Sequence, residues 1–524
     1  MSMNENRNKS GEREIYLVNP CNPDNFWTMQ SSVEAVGVRT LMPCIALATL
    51  VALTPDDVAV RYSYCDENIS PVDFNKKCDL VAITGYTLHE KRIGEISAAF
   101  RKRGIPVALG GPFATLYPHR ARRYCDHLFV REAEHTWPRF LREWVEGRAG
   151  DLYEQQGFVD LGSSPVPDWS FIRGKDYLYF PMQTSRGCPN DCDFCDAIRL
   201  VGRKYRHKST AQVMAEIRSA YAAGAETVFF SEDNFFVNRK FTFELLNEII
   251  SYNRTLPRPL SFSCQATVKL GEDDEILKLM ADARFAVVFL GVESVRSECL
   301  AEVNKGHLSR YDAEKSVMNI SRYGIIPFIG LIVGFDHDDA GTFAELEEFL
   351  SRTASPIASI SVLNAPEGTR LYERMSARGR IIDEFDGHWH LLTNIVPASM
   401  SFDELTMRHR TLFKKIYEPE AFEKRAIDWM SRIEYFTGIY RDSSTNWSKI
   451  KKFFPILRFY LFREPREVRS MFFRMLKKSW KINPRLIKKA ITLMTQYCHY
   501  HDFAEKTYRE YIETGADAHP PSLP

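Results

Sequence analysis

The sequence has almost no net charge: 69 Lys and Arg stand against 68 Asp and Glu in 524 residues, a formal +1. No global field steers the chain to nucleic acid, and no such partner is expected without a local patch. Long apolar runs are missing too. The longest, such as Cys44–Leu53, fall far short of the ~20 residues that span a bilayer. The opening MSMNENRNKSGERE reads as a polar, disordered tail without the apolar centre of a secretory signal. A cytoplasmic protein is expected, at most peripheral to a membrane. No GxGxxG string occurs, which argues against a dinucleotide. Low-complexity tracts and internal repeats are also lacking. Aromatic content of 13%, beside 44% hydrophobic and 26% charged residues, excludes a disordered chain and gives a soluble globular balance.

What is present is alternation. Short apolar runs at 15–19, 58–64, 79–86, 105–111 and 127–132 read as strands, and Glu90–Arg103 reads as an amphipathic helix. This pattern predicts a doubly wound parallel sheet over 12–145. Residues 146–180 read as an irregular connector marked by Pro165, Pro167 and Asp168. Strand candidates recur at 181–186, 226–232, 260–267, 286–294, 326–335 and 356–364. Helices are expected between them at 209–223, 238–253, 272–283, 309–323 and 339–352. Six βα units fit a partial (β/α)6 barrel over 181–385, since a full barrel takes roughly 250 residues. From 386 to 524 the pattern is helical.

Eleven cysteines in such a chain point to metal or catalysis over disulfides. Three of them form Cys188-Pro-Asn-Asp-Cys192-Asp-Phe-Cys195. Random placement would give roughly 0.005 such matches per chain, so the spacing carries information. Three thiolates on one loop suit a soft metal. A structural zinc site wants a fourth ligand, and His207, twelve residues on, does not match a zinc knuckle. Three cysteines leave one iron of a 4Fe-4S cluster open. The triplet follows the first barrel strand, and barrels place their chemistry at the carboxyl ends of strands. The other cysteines, at 21, 44, 65, 78, 125, 264, 299 and 498, need no role beyond packing.

CxxxCxxC with Phe194 before the last cysteine, opening a partial barrel, resembles the radical S-adenosylmethionine (SAM) superfamily. The resemblance implies that Cys188, Cys192 and Cys195 hold a 4Fe-4S cluster. Its open iron would chelate SAM, whose one-electron cleavage yields a 5′-deoxyadenosyl radical. Ser231-Glu232-Asp233-Asn234 ends the second barrel strand, where the family binds the SAM amino group; the plain alternative is a helix cap. Glu293, ending the fourth strand, is expected to accept from the ribose hydroxyls, or else to be a buried structural carboxylate. Gly330 and Gly334 match a GxIxG strand on the adenine side. Ser263 and Gln265 point to the same mouth if their strand alternates. The turn from Asn364 to Thr369 closes the sixth strand.

A flavodoxin-like domain before such a barrel resembles the cobalamin-binding radical SAM class. Thr87-Leu88 corresponds there to a small-polar/Leu motif after the third strand, and Gly110-Gly111 to a pair making room for the nucleotide tail. The DxHxxG string whose histidine ligates cobalt is absent; His89 and His119 lie in other contexts. Several strings resemble a hopanoid C-2 methylase-like branch: 66–69, 110–112, 187–196, 233–235 and 363–366.

The resemblance implies a C-methyltransferase acting on an unactivated carbon of a small-molecule or lipid substrate, with a flavodoxin or ferredoxin as electron donor. Non-methylating radical chemistry, such as oxidative cyclisation, ring contraction or rearrangement, is the alternative on the same architecture. A non-catalytic iron–sulfur or cobalamin sensor would not need the SAM-side motifs. No general acid or base is assigned. Between Lys449 and Lys489, fourteen Lys or Arg face two Glu, interleaved with Phe453, Phe454, Ile456, Leu457, Phe459, Tyr460, Leu461 and Phe462. That segment is read as a helical cap on the barrel or as a peripheral membrane contact.

Overall fold

In the computed structural model, residues 12–382, 390–438 and 446–514 are described, without the side chains of 446–452. The tail expected before the first strand lies outside them up to residue 11, and the strand itself begins at Arg13.

Two six-stranded parallel sheets form the centre of the chain. The first contains β1 (Arg13–Asn19), β2 (Val60–Asp66), β3 (Leu80–Thr84), β4 (Val107–Gly110), β5 (His127–Val130) and β6 (Leu152–Glu154), in spatial order β2-β1-β3-β4-β5-β6. Its strands alternate between two apolar cores. Tyr16 and Val18 face one with Val81, Ile93 and Phe100, while Ile15 and Leu17 face the other with Leu80, Trp137 and Phe140. Helices therefore cover both faces, as all-parallel sheets require. The winding direction reverses between β1 and β3, so the loops after these two strands open a crevice at their carboxyl ends. The sixth strand falls within the stretch expected to be irregular. Leu-Tyr-Glu is too short to show a period, and only Tyr153 is buried.

The second sheet runs in chain order: β7 (Phe180–Met182), then β10 (Thr227–Phe230), β11 (Ser261–Thr267), β12 (Phe285–Glu293), β13 (Ile326–Val333) and β14 (Ile357–Val362). Between β7 and β10, a two-residue strand β8 (Ser185–Arg186) pairs antiparallel with β9 (Arg206–His207). The single strand expected over 181–186 is thus split at Gln183-Thr184, because Ser185-Arg186 turns away to form this hairpin. Helices Thr210–Ala222, Arg239–Thr255, Asp274–Asp282, Ala313–Arg322 and Thr342–Arg352 cover the outer face, where Val288, Leu290, Ile329 and Leu331 are buried. Their starts are written locally. Ser209, Asn238, Asp273 and Asp312 each accept from a backbone N–H of the first turn. Residues of the inner face, in register from strand to strand, include Ser263, Gln265, Phe289, Phe328, Gly330, Ser359 and Ser361.

Among the described residues, a short helix Arg370–Ala377 follows, then five more: Phe402–Ile416, Pro419–Ser431, Asn446–Phe462, Arg466–Ile482 and Ile487–Thr514. The boundary expected at 385–386 lies outside the described residues. Just beyond it, the His390 carbonyl accepts from Val362 N–H (3.2 Å), so this segment runs along β14 before the helices begin. In the basic segment, Ile456, Phe459 and Tyr460 are buried, while Phe454, Phe462, Phe473 and Trp480 are exposed. No helix among the described residues is long and apolar enough to cross a membrane.

Candidate active site

The cysteine loop leaves β8 through Gly187, whose φ is +95° and where an added Cβ would lie 2.1 Å from the Lys204 carbonyl oxygen. Only glycine fits that crossing. Cys188 N–H donates to Gly202 O (3.1 Å), and Cys195 N–H to Cys192 O (3.1 Å). Between the thiols, Asp191 and the buried Asp193 are each held by cations. Arg203 (3.0 Å) and Arg370 bind Asp191, and Arg374 binds Asp193. Asn304 Nδ2 donates to the Asp191 carbonyl (2.8 Å), and Asp193 N–H to Val303 O (3.0 Å). The aspartates anchor the loop and leave the cysteines as its free donors.

All three cysteines are half-buried. Burial raises each thiol, Cys192 to about 11 and Cys195 to about 12. Metal ligation would oppose that penalty by binding the thiolate. The donor set therefore fits a thiophilic cluster in chemistry and in loop placement. Among the described residues, no three His, Cys, Asp or Glu side chains already converge on one metal-binding point. His207 packs on Phe241 and Tyr205, and its Nδ1 lies 2.9 Å from Lys208 O.

Of the 231–234 segment, Asp233 faces the thiol loop. Its charge acts on Cys188 and Cys195, burial raises both Asp233 and Asp196, and the charge of Asp196 adds to the rise at Asp233. Glu232 is buried and accepts from Thr184 Oγ1 (2.6 Å). Desolvation raises its pKa to about 7. Ser231 instead donates across to Met182 O of β7 (3.1 Å), and Asn234 accepts locally from Phe236 N–H (3.1 Å). Gln265 contributes its carbonyl, which accepts from Phe235 N–H (2.8 Å) and ties this loop to β11. Ser263 Oγ is buried and has no hydrogen-bond partner.

Glu293 sits at a register shift, with φ +64°. Its carboxylate is ion-paired with Lys305, which also donates to Gly291 O (3.3 Å). Lys305 is buried, and its charge reaches Cys188 and Cys192. Nothing in the local sequence distinguishes this lysine; it follows an ordinary helix and precedes a glycine. Thr184 and Asp196 were equally silent. The glycines have steric reasons: a Cβ at Gly330 would meet the Phe289 ring at 2.6 Å, and Gly334 has φ +100°.

The first sheet meets this loop at the carboxyl ends of its own strands. Gly111 has φ +90°, and a Cβ there would lie 2.3 Å from Thr84 Oγ1. Thr87 is half-buried and Leu88 exposed at the next loop. His89 is buried, with Nδ1 accepting from Tyr86 N–H (3.0 Å) and Nε2 2.9 Å from Asn22 Oδ1. Both ring nitrogens are thus engaged within the loop, and His119 lies exposed on a separate turn. Tyr86 is 59% exposed, yet desolvation raises its phenol and the charges of Asp196 and Asp233 act on it. Arg199, four residues past Cys195, reaches back to Leu116 O (3.3 Å), and Leu200 packs on the first sheet's core.

A family model described as Radical SAM superfamily matches residues 182–350, and a domain of unknown function, DUF4070, matches 369–513. An uncharacterised methyltransferase of Synechocystis is 30% identical over 415 residues, covering 78% of this chain and 77% of that protein. The chain belongs to the cobalamin-binding radical SAM family. The hopanoid C-2 methylase of Rhodopseudomonas palustris is 28% identical over 445 residues, 83% of each chain. Two solved structures share the fold. The radical SAM methyltransferase TsrM from Kitasatospora setae, with cobalamin and a 4Fe-4S cluster, has a TM-score of 0.59 at 18% identity and covers 72% of this chain and 81% of its own. OxsB with aqua-cobalamin has 0.60 at 13% identity, covering 96% and 81%. Within this radical SAM protein, the cysteine loop lies inside the matched segment, and the helices after 402 lie inside the DUF4070 match.

Proposed function

We propose that this protein is a cobalamin-dependent radical SAM C-methyltransferase acting on an unactivated carbon of a small molecule or lipid. The carrying observation is the meeting of two strand ends. Arg199, four residues past Cys195, donates to Leu116 O beyond β4 (3.3 Å), and Leu200 beside it packs on the first sheet's core. When bound, the cluster with SAM would supply a hydrogen-abstracting radical and cobalamin a methyl group.

The chain's own residues bind and exclude. Cys188, Cys192 and Cys195 are the ligands of the cluster. Asp233 and Glu232 face the amino end of SAM, with Ser263 and Gln265 beside it on β11. Glu293 serves the ribose once Lys305 releases it, and Gly330 with Gly334 leaves room for the adenine. Gly110 and Gly111, with Thr87 and Leu88, form the cobalamin side of a flavodoxin-like domain. That domain extends from 12 through β6 to about 154, followed by a partial barrel to about 396 and the helical region. With both ring nitrogens engaged within its loop, His89 is not offered to cobalt.

An electron donor such as a flavodoxin or ferredoxin supplies the reducing electron. The exposed Phe462 and Trp480 among basic residues form the surface assigned to peripheral contact with a membrane of the cytoplasm. The test uses anaerobically reconstituted protein with SAM, dithionite and methylcobalamin. Mass spectrometry should find both 5′-deoxyadenosine and S-adenosylhomocysteine, and neither with Cys188→Ala. Deoxyadenosine alone would overturn methylation in favour of another radical reaction.

A further inference from the structure

The helix Arg466–Ile482 is covered on one side only. Val468, Met471, Phe472, Met475 and Ser479 are buried at helical spacing, and Phe472 stacks on Tyr460 at 4.2 Å between ring centroids. Residues seven apart share a stripe, and the opposite stripe holds Arg466, Phe473 and Trp480, all exposed. Trp480 is 59% exposed and Phe473 44%. The exposed Lys477 and Lys481 run beside these two rings. Phe462, which ends the preceding helix, is 78% exposed.

Ion pairing separates the cations of this helix into two kinds. Arg474 and Lys478 both close on Glu423, a buried carboxylate of the helix Pro419–Ser431, at 2.6 and 2.8 Å. Those two fasten the helix to its neighbour. Arg466, Lys477 and Lys481 form no salt bridge among the described residues, and neither does Arg485 just past the helix end. The helix's one acid, Glu467, stands in the first turn, where it suits the dipole. The outer stripe therefore combines exposed aromatic rings with cations that nothing in the fold compensates. Apolar surface rimmed in this way marks a contact surface rather than a solvated face.

We propose that the outward face of Arg466–Ile482 rests on an anionic lipid surface, with Phe473 and Trp480 entering the headgroup layer and Arg466, Lys477 and Lys481 meeting lipid phosphates. The inference deepens the peripheral-contact reading above and rests on it. A helix with Lys and Arg beside Trp and Phe lies in the plane of such an interface. Indole rings favour the headgroup level, and the long lysine stems let the ammonium groups reach phosphate while the rings sit deeper. A second copy is a poorer occupant, because a two-fold contact sets each patch against itself and brings like cations together. Lysine is depleted in protein–protein interfaces, yet two lysines flank Trp480 here. Nucleic acid would engage the cations and leave Phe473 without a partner.

The test is flotation of the reconstituted full chain with vesicles of phosphatidylcholine alone or with about 30% phosphatidylglycerol. Wild type should bind the anionic vesicles at least about tenfold more tightly, and lose most of that difference at about 0.5 M salt. Lys477→Gln with Lys481→Gln should weaken anionic binding about tenfold. Lys102→Gln with Lys278→Gln removes the same charge from exposed positions on other helices and should stay within about twofold of wild type. Trp480→Ala should weaken binding at least about fivefold, and Trp480→Phe should restore part of that. All these side chains are exposed, so the variants should melt as wild type does. Equal affinity for the two vesicles, equal loss in the two lysine pairs, or wild-type binding by Trp480→Ala overturns the proposal. A dimer that Trp480→Ala converts to a monomer would assign the face to a second copy and overturn it likewise. If wild type binds neither vesicle, the peripheral-contact reading falls too; if it binds and the helix variants bind equally well, this proposal falls alone. Vesicle binding needs no SAM cleavage, so the product assay above stands apart from it.

Discussion

Arg186 Nη1 donates to Glu132 at 2.8 Å, joining the residue two before Cys188 to the end of β5 in the other sheet. Its Nη2 pairs with Glu134 (2.8 Å), and Arg206 adds a second cation on Glu132 (2.9 Å). The carboxylates and Arg186 are largely buried, so this network fixes the cysteine loop against the first sheet.

Removing one partner leaves a buried charge uncompensated. Arg186→Met should cost about 3 kcal/mol of stability, and Arg186→Met with Glu134→Gln should recover part of it. Urea melts of the two variants check this. Iron content after reconstitution should fall in the single variant, because the loop loses its inner anchor.

Lys305 and Glu293 form the second such pair. Lys305→Met should destabilise by about 3–5 kcal/mol, and the double variant with Glu293→Gln by clearly less. A double-mutant cycle in denaturant measures the coupling. Equal destabilisation in the single and double variants would remove the pair from the account.

Glu232 sets a pH window. Its folded pKa is raised to about 7 from an ordinary 4.5, so between those values the folded state holds a proton that the unfolded state has lost. Stability contributed at this site therefore falls as pH rises from about 4.5 to about 7, by at most about 3 kcal/mol, and is flat above. Glu232→Gln keeps an acceptor for Thr184 and lacks the titration. Denaturation midpoints of the two proteins should diverge at pH 8 and approach each other at pH 5.

Gly111 and Gly147 share a left-handed backbone, at φ +90° and +74°, and differ in surroundings. Gly147→Ala meets nothing within 4 Å and should cost about 1 kcal/mol. Gly111→Ala drives a methyl into Thr84 and should cost about 3 kcal/mol or more. Its cobalamin retention after gel filtration should also drop, while Gly147→Ala retains wild-type levels.

Much of the architecture was legible because both signals are local. Strand–helix alternation follows from which residues a parallel sheet buries, and Ser209, Asn238 and Asp312 mark helix starts by their own side chains. The hairpin at Ser185 and the strand at Leu152 were not legible. Two or three residues carry no period, and partners twenty residues distant decide them. Ser231 and Asn234 show the converse: a motif in the right place, whose side chains turn to backbone partners, Ser231 to the neighbouring β7 and Asn234 within its own loop.

Covalent spacing by itself determined the three-cysteine loop, the glycines at its base and the order of the βα units, since each depends on neighbours along the chain. Tertiary structure alone decided that Lys305 holds Glu293, that Arg186 spans two sheets, and that both nitrogens of His89 are committed. The physical reason is the same in each case. A buried charge or polar atom acquires its meaning from the partner that compensates it, and those partners lie between 3 and 67 residues away.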